Sequence, residues 1–177
     1  MAEMRLTGVK VELPTNTPVV FLQEVGGEGR TLPIFVGMPE ASSLLQALRG
    51  QTSPRPLTYE LFAQVVEVLG GSLDEVAITD LQDGIYYAEL RFTVGGTSRV
   101  VDARPSDAVN LALRAGARIT CDDGLLAAEG VTYDDAADDD DGEAERAATG
   151  GEPPQADELV DELKHWLENV RPEDFGS

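Results

Sequence analysis

The sequence predicts an α+β domain: a duplicated strand-strand-strand-helix unit, with a mixed or antiparallel sheet and helices packed on one side. Three observations lead there. Period-2 alternation marks short strands divided by Gly-rich turns. Two helical stretches each open on an acidic residue followed by Ala. A shift of 67 residues superposes the halves, placing Val9 on Val76, Val11 on Ile78, Glu40 on Asp107, Ala41 on Ala108 and Leu44 on Leu111. One such unit cannot cover its own sheet face, so two are expected to pack about a pseudo-two-fold axis.

The elements follow in order. Arg5–Leu13 alternates, with Val9, Val11 and Leu13 set against Lys10 and Glu12, and reads as a strand. A loop, Pro14 to Pro18, leads to a second strand over Val19–Val25. The run Gly26-Gly27-Glu28-Gly29 then turns the chain into a third, Thr31–Val36. No Lys-Ser/Thr follows those glycines and a strand comes next, so a hairpin turn is expected rather than a phosphate loop. Glu40–Leu48 carries Ala41, Leu44, Leu45 and Leu48 at helical spacing and ends at Gly50. After a Pro-punctuated loop, Thr58 is expected to cap a helix over Tyr59–Leu69, ended by Gly70-Gly71. Strands over Val76–Thr79, Ile85–Val94 and Thr97–Asp102 repeat the first set, with Gly95-Gly96 as their hairpin.

The second helix opening is the richest stretch of the chain. Val100–Ile119 reads VVDARPSDAVNLALRAGARI: a strand, a turn at Arg104-Pro105, then a helix stopped near Gly116. Pro105 suits the first helical position, where a missing N–H costs nothing. Gly116 suits a left-handed C-terminal cap. Asp102, Arg104, Ser106 and Asp107 fall within six residues, the densest polar cluster in the chain. A short strand over Ile119–Cys121 and a helix over Asp123–Glu129 close the domain.

Size and composition bound the function. A chain of 177 residues buries one good core, and no apolar run reaches membrane-spanning length. MAEMRLTG lacks a signal peptide's apolar stretch, so the cytoplasm is expected and no membrane partner is. Cys121 is the only cysteine, which suits a reducing compartment, and Asp122 and Asp123 beside it argue for an inert thiol. The formal charge is −20 and unevenly spread. Residues 1–133 hold 17 acidic and 10 basic side chains, residues 134–177 hold 16 and 3. The domain therefore lacks the basic excess of a protein that grips long duplex by counterion release.

Domain 1–133 is expected to end in an acidic disordered linker, 134–155, whose like charges repel and whose residues bury nothing. Asp138–Asp141 lack the Gly and Glu spacing of a calcium loop. Residues 156–177 are expected to form an amphipathic helix and tail, with Leu159, Leu163, Trp166 and Val170 on one face, docking on a protein partner, the domain or a second subunit. His165, the only histidine, falls on its less apolar side. One His and one Cys leave no basis for histidine-based hydrolysis or a zinc centre.

The run Arg104-Pro105-Ser106-Asp107-Ala108, continued by Leu-Ala-Leu-Arg and Gly-Ala-Arg-Ile, resembles the signature of the bifunctional nuclease family. Leu32-Pro33-Ile34-Phe35-Val36-Gly37 leading to Glu40-Ala41, Arg55-Pro56-Leu57-Thr58, and Ile78-Thr79-Asp80-Leu81 agree with it in the same order. The resemblance, over about Arg5 to Tyr133, implies a bacterial-type domain that cleaves both DNA and RNA. Such cleavage at this composition calls for magnesium or manganese held by carboxylates, with Arg neutralising the phosphate. Glu40, Asp102 and Asp107 are the candidate metal ligands; Asp102, Arg104 and Asp107 the candidate catalytic residues; Arg55, Arg104 and Ser106 the candidate substrate contacts. Asp102 and Asp107 are expected to converge at the strand-to-helix turn, with Glu40 joining them if the repeats face each other. Where members of the family often carry His, after Pro56-Leu57-Thr58, this chain has Tyr59, a poor base near neutral pH.

A structural reading stands beside the catalytic one. Glu40 and Asp107 complement their helix N-termini, Arg104 pairs with a neighbouring Asp, and Arg55 braces its loop. On that reading the domain is a non-catalytic interaction or oligomerisation module. Either way a homo-oligomer is expected.

Overall fold

Alternating apolar rows and Gly-punctuated turns become seven strands and four helices in the computed structural model, which describes residues 1–13 and 15–132. In chain order they are β1 (Ala2–Glu12), β2 (Thr17–Glu24), β3 (Thr31–Phe35), α1 (Met38–Leu48), α2 (Thr58–Val68), β4 (Gly71–Gln82), β5 (Ile85–Val94), β6 (Thr97–Ala103), α3 (Pro105–Ala115), β7 (Arg118–Cys121) and α4 (Asp123–Glu129). The strands form one mixed sheet in the order β3-β2-β1-β7-β4-β5-β6. The short β7 joins the halves, antiparallel to β1 and parallel to β4. That arrangement leaves β1 and β4 antiparallel to each other, as a pseudo-two-fold axis through the middle of the sheet requires.

The duplication extends to the helix ends. α1 and α3 both have eleven residues and begin 67 positions apart, at Met38 and Pro105, each after an extended residue. Both carry their acidic residue in the first turn, Glu40 and Asp107.

One sheet face makes the core. Met4 and Leu6 on β1, Val20 and Leu22 on β2, Val76 and Ile78 on β4, and Leu90 and Phe92 on β5 are buried with Ile119 and Cys121. In register they stand side by side: Leu6 opposite Leu22, Met4 opposite Ile119, Val76 opposite both Ile119 and Leu90. Leu44 of α1, Val109 of α3 and Leu126 of α4 close over this face and are almost wholly removed from water. The other face is polar. There Arg91 pairs with Glu75 at 3.3 Å and with Glu89 at 3.1 Å, and the Thr120 hydroxyl donates to Glu75.

Gly116 caps α3 in the left-handed conformation (φ 66°). Thr58 is the first residue of α2 rather than its cap: the N-cap is Leu57, and no side chain bonds there. The α4 cap is Asp122, which accepts from the amides of Gly124 and Leu125. β4 is three times the expected length, because bulges near Asp74 and Thr79 let charged residues ride in a strand without breaking its inward row. The expected linker 134–155 and helix 156–177 lie outside the described residues. No described helix is long and apolar enough to cross a membrane.

Candidate active site at the seam between the repeats

The repeat brings the N-termini of α1 and α3 together. Each first-turn carboxylate complements its own helix dipole; side by side, the two would repel. Arg104 resolves this. As the N-cap of α3 it sends Nε to Asp107 Oδ2 at 2.7 Å and Nη2 to Asp107 Oδ1 at 3.1 Å, a two-pronged grip. The same Nη2 donates to Glu40 Oε1 at 2.9 Å, joining the two repeats. The Asp107 hydrogen bond, followed by the rest of this pairing, raises the Arg104 pKa above its already high value. Its guanidinium side chain is nonetheless 67% exposed, against 16% for Glu40 and 28% for Asp107.

The duplicate of Arg104 is Gly37, the N-cap of α1. Glu40 folds back over it so closely that a Cβ at residue 37 would collide with Glu40 Oε2. One repeat therefore supplies an arginine and the other the space that lets its carboxylate reach it. Ser106 and Arg104 line an open hollow here together with Gly37, Phe35 and Tyr86.

Behind the carboxylates lies a buried brace. The Tyr59 hydroxyl donates to Asp107 Oδ1 at 2.7 Å. Burial first, then that bond and the charges of Asp107 and Glu40, raise the phenol pKa well above its usual value, so Tyr59 is a fixed donor. The Arg114 guanidinium sits over the Tyr59 ring at 5.3 Å, a cation–π contact. It also donates to Glu60, to Asn110 Oδ1 at 3.0 Å and to Ser43 Oγ at 2.9 Å. Burial alone would raise the Glu60 carboxyl; the Arg114 bond carries it below the usual range. Asn110, fully buried, donates to the backbone oxygens of Glu40 (3.2 Å) and Ser106 (2.9 Å). Asn110, Arg114 and Glu60 were not singled out by the sequence. Their signal was present: Asn110 and Arg114 sit one turn apart on a helix whose neighbouring residues are all apolar.

Two of the sequence-derived candidates stand elsewhere. Asp102 is opposite Glu89 in the β5–β6 register and shares its side of the sheet, the polar face away from the helices. Strand alternation turns it from Asp107, and the expected convergence of the two does not occur. Arg55 lies in the loop before α2, beside Glu60 and Gln64, apart from Arg104 and with no ion-pair partner among the described residues. The set Glu40, Asp102 and Asp107 thus does not fit one ion, and Arg104 stands between the two carboxylates that do meet. No group of three or more His, Cys, Asp or Glu among the described residues is placed to hold a metal.

Residues 20–134 match the bifunctional nuclease domain. The chain belongs to the bifunctional nuclease family. It is 40% identical over 175 residues to the uncharacterized protein Rv1829 of Mycobacterium tuberculosis, covering 99% of this chain and 98% of that one. It is 31% identical over 117 residues to Bifunctional nuclease 1 of Arabidopsis thaliana, covering 64% of this chain and 36% of the plant protein. Bifunctional nuclease 1 of Oryza sativa subsp. japonica is 33% identical over 98 residues, 54% of this chain and 30% of the plant one. The stretch shared with bifunctional nucleases contains the whole seam: Glu40, Tyr59, Arg104, Asp107 and Asn110 all lie within it.

Proposed function

We propose that the seam between α1 and α3 hydrolyses phosphodiester bonds in DNA and RNA. One observation carries the reading: an arginine fork, more than half exposed, is held at two paired helix N-termini by carboxylates from both repeats. Membership of the bifunctional nuclease family and the plant relatives of that name support it.

The roles follow from the contacts. Arg104 meets the phosphate and offsets the charge that builds as water adds to phosphorus. The α1 and α3 N-termini add the positive ends of two helices at the same place. Glu40 takes the proton of the attacking water, the phosphorus–oxygen bond on the far side breaks, and the departing oxygen is protonated by solvent. Asp107, locked by Tyr59, holds the Arg104 fork in plane. Ser106 is a substrate contact beside it. Asp102 and Arg55 take no part, because of where they stand. Magnesium and manganese enter as ions to be added in the assay, and no step depends on them.

Full-length protein is incubated with labelled single- and double-stranded DNA and RNA, with and without each ion. Cleavage that falls at least about 100-fold in Glu40→Gln is expected, the usual size of a positioned acid–base contribution. Cleavage no greater than that of the variant, on every substrate and with either ion, ends the proposal. The non-catalytic reading has one observation in its favour: among the described residues, nothing covers Leu61, Phe62, Val65 and Val68 of α2, which are exposed.

A further inference from the structure

The hollow beside Arg104 also has an apolar side. Its volume is about 360 Å³, within the roughly 300–1,000 Å³ of small-ligand pockets. Phe35, at the end of β3, and Ile85, at the start of β5, line it, and each leaves 60% of its surface exposed. Both stand on fixed backbone. The amide that follows Phe35, that of Val36, donates to the Pro18 carbonyl at 3.0 Å. Ile85 follows the two-residue turn Asp83-Gly84, whose φ values of 51° and 77° make a tight hairpin. Tyr86, next in the lining, is half-buried against the core.

A single exposed apolar side chain is ordinary. Here two, from distant parts of the chain, share one hollow with an exposed guanidinium. The fold does not require the phenyl ring. The 67-residue shift that carries α1 onto α3 carries Phe35 onto Asp102, an exposed acid at the same place in the other repeat. Arg104 also has donors to spare. Its Nε and Nη2 make the bonds to Asp107 and Glu40, and Nη1 makes no hydrogen bond among the described residues.

We propose that this hollow seats one unpaired base beside the phosphate that meets Arg104, so that the protein acts on single strands. The proposal rests on the reading of the seam as a phosphodiester site and adds its substrate class. In a duplex the base faces are stacked on one another, and a protein is offered phosphates and groove edges. Residues 1–133, with 17 acidic against 10 basic side chains, are ill suited to a long row of phosphates. A single strand offers one phosphate to Arg104 and a base face to Phe35, a contact that needs no excess of positive charge. The Phe35 and Ile85 side chains carry no hydrogen-bonding groups, so every base, on ribose or deoxyribose, meets the same surface.

Fluorescence anisotropy on the full chain carrying Glu40→Gln, which keeps the strands intact, tests this. The probes are one labelled oligonucleotide as single-stranded DNA, as RNA, as duplex, and as a strand of equal length whose sugars carry no bases. Either single strand is expected to bind about tenfold or more tighter than the duplex or the baseless strand. Adding Phe35→Ala should weaken single-strand binding about fivefold or more and leave the baseless strand within about twofold. Its thermal melt should stay within a few degrees, because the ring is exposed, and Phe35→Trp should keep the affinity. Duplex or baseless strand bound as tightly as the normal single strand overturns the proposal. So does Phe35→Ala without effect, or no binding of any probe. Cleavage by the parent decides the seam separately. Single strands held through Phe35 but never cut would end the hydrolytic reading and keep the base site. Single strands and duplex cut alike, with Phe35→Ala silent, would keep hydrolysis and end the base site.

Discussion

Removing the Arg104 guanidinium separates catalysis from stability at the seam. In Arg104→Ala, three hydrogen bonds of 2.7, 2.9 and 3.1 Å are lost. The side chain is 67% exposed, so solvent screening holds each ion pair to ~0.2–1 kcal/mol. Glu40 and Asp107 are left facing each other without their counter-charge, yet both keep a helix N-terminus. The net loss of stability is therefore about 1 kcal/mol, a fall in Tm of about 3–6 °C for a domain of this size. Against a total of ~5–15 kcal/mol the protein stays folded at 25 °C. The catalytic loss is of another order. An arginine that offsets transition-state charge is worth ~10³-fold or more, about 4 kcal/mol. Arg104→Lys keeps the charge but not the fork that spans Asp107 and Glu40, and should lose ~10–100-fold. Single-turnover cleavage of a labelled oligonucleotide, beside a thermal melt of the same sample, gives both numbers. Cleavage by Arg104→Ala within threefold of the parent, or lost only in step with unfolding, would refute the role.

Further predictions concern Tyr59 and Cys121, two groups whose titration the fold displaces. The Tyr59 phenol has a native pKa above its unfolded value of 10.0, so the stability it adds is complete below pH 10 and is lost as pH rises beyond it. Denaturant melts between pH 9 and 11 should show a steeper decline in the parent than in Tyr59→Phe, which itself costs about 1 kcal/mol at pH 7; equal slopes would contradict the Asp107 contact. Tyr59→His places a base that titrates near neutrality beside the carboxylates and should give cleavage a pH dependence centred on about 6–7. The Cys121 thiol, fully buried and then opposed by Asp122 and Asp123, is pushed up to about 12. It should resist alkylation at pH 8 until the protein is unfolded, and rapid labelling of the native state would contradict its burial.

Local chemistry made most of the fold legible. Gly50, Gly70 and Gly116 all take positive φ after a helix, as their places beyond the last apolar turn required. The doubled acidic-Ala opening revealed the repeat, because a helix start is specified by consecutive residues. Faces were harder to read. Asp102 lies five residues from Asp107, and that nearness suggested convergence, but the last strand residues alternate and the register with Glu89 fixes its side. Pairing register is a property of two strands and cannot be read from one. The strand β7 was expected over Ile119–Cys121, but its place was hidden: nothing in its four residues told that they would join the halves. The burial of Arg114 depends on partners 54 and 71 residues away, Glu60 and Ser43. Arg104 was named from its neighbours, while its bond to Glu40 crosses 64 residues and required the repeat to close.

The paired variants Asp107→Asn and Asp102→Asn decide which side of the sheet is reactive. Both are isosteric, one at the helix seam and the other exposed on the polar face opposite Glu89. Their cleavage rates, measured side by side on one oligonucleotide, should differ by about 100-fold or more, with Asp102→Asn matching the parent. The reverse order, or equal rates, would remove the seam of Glu40, Arg104 and Asp107 as the seat of the chemistry.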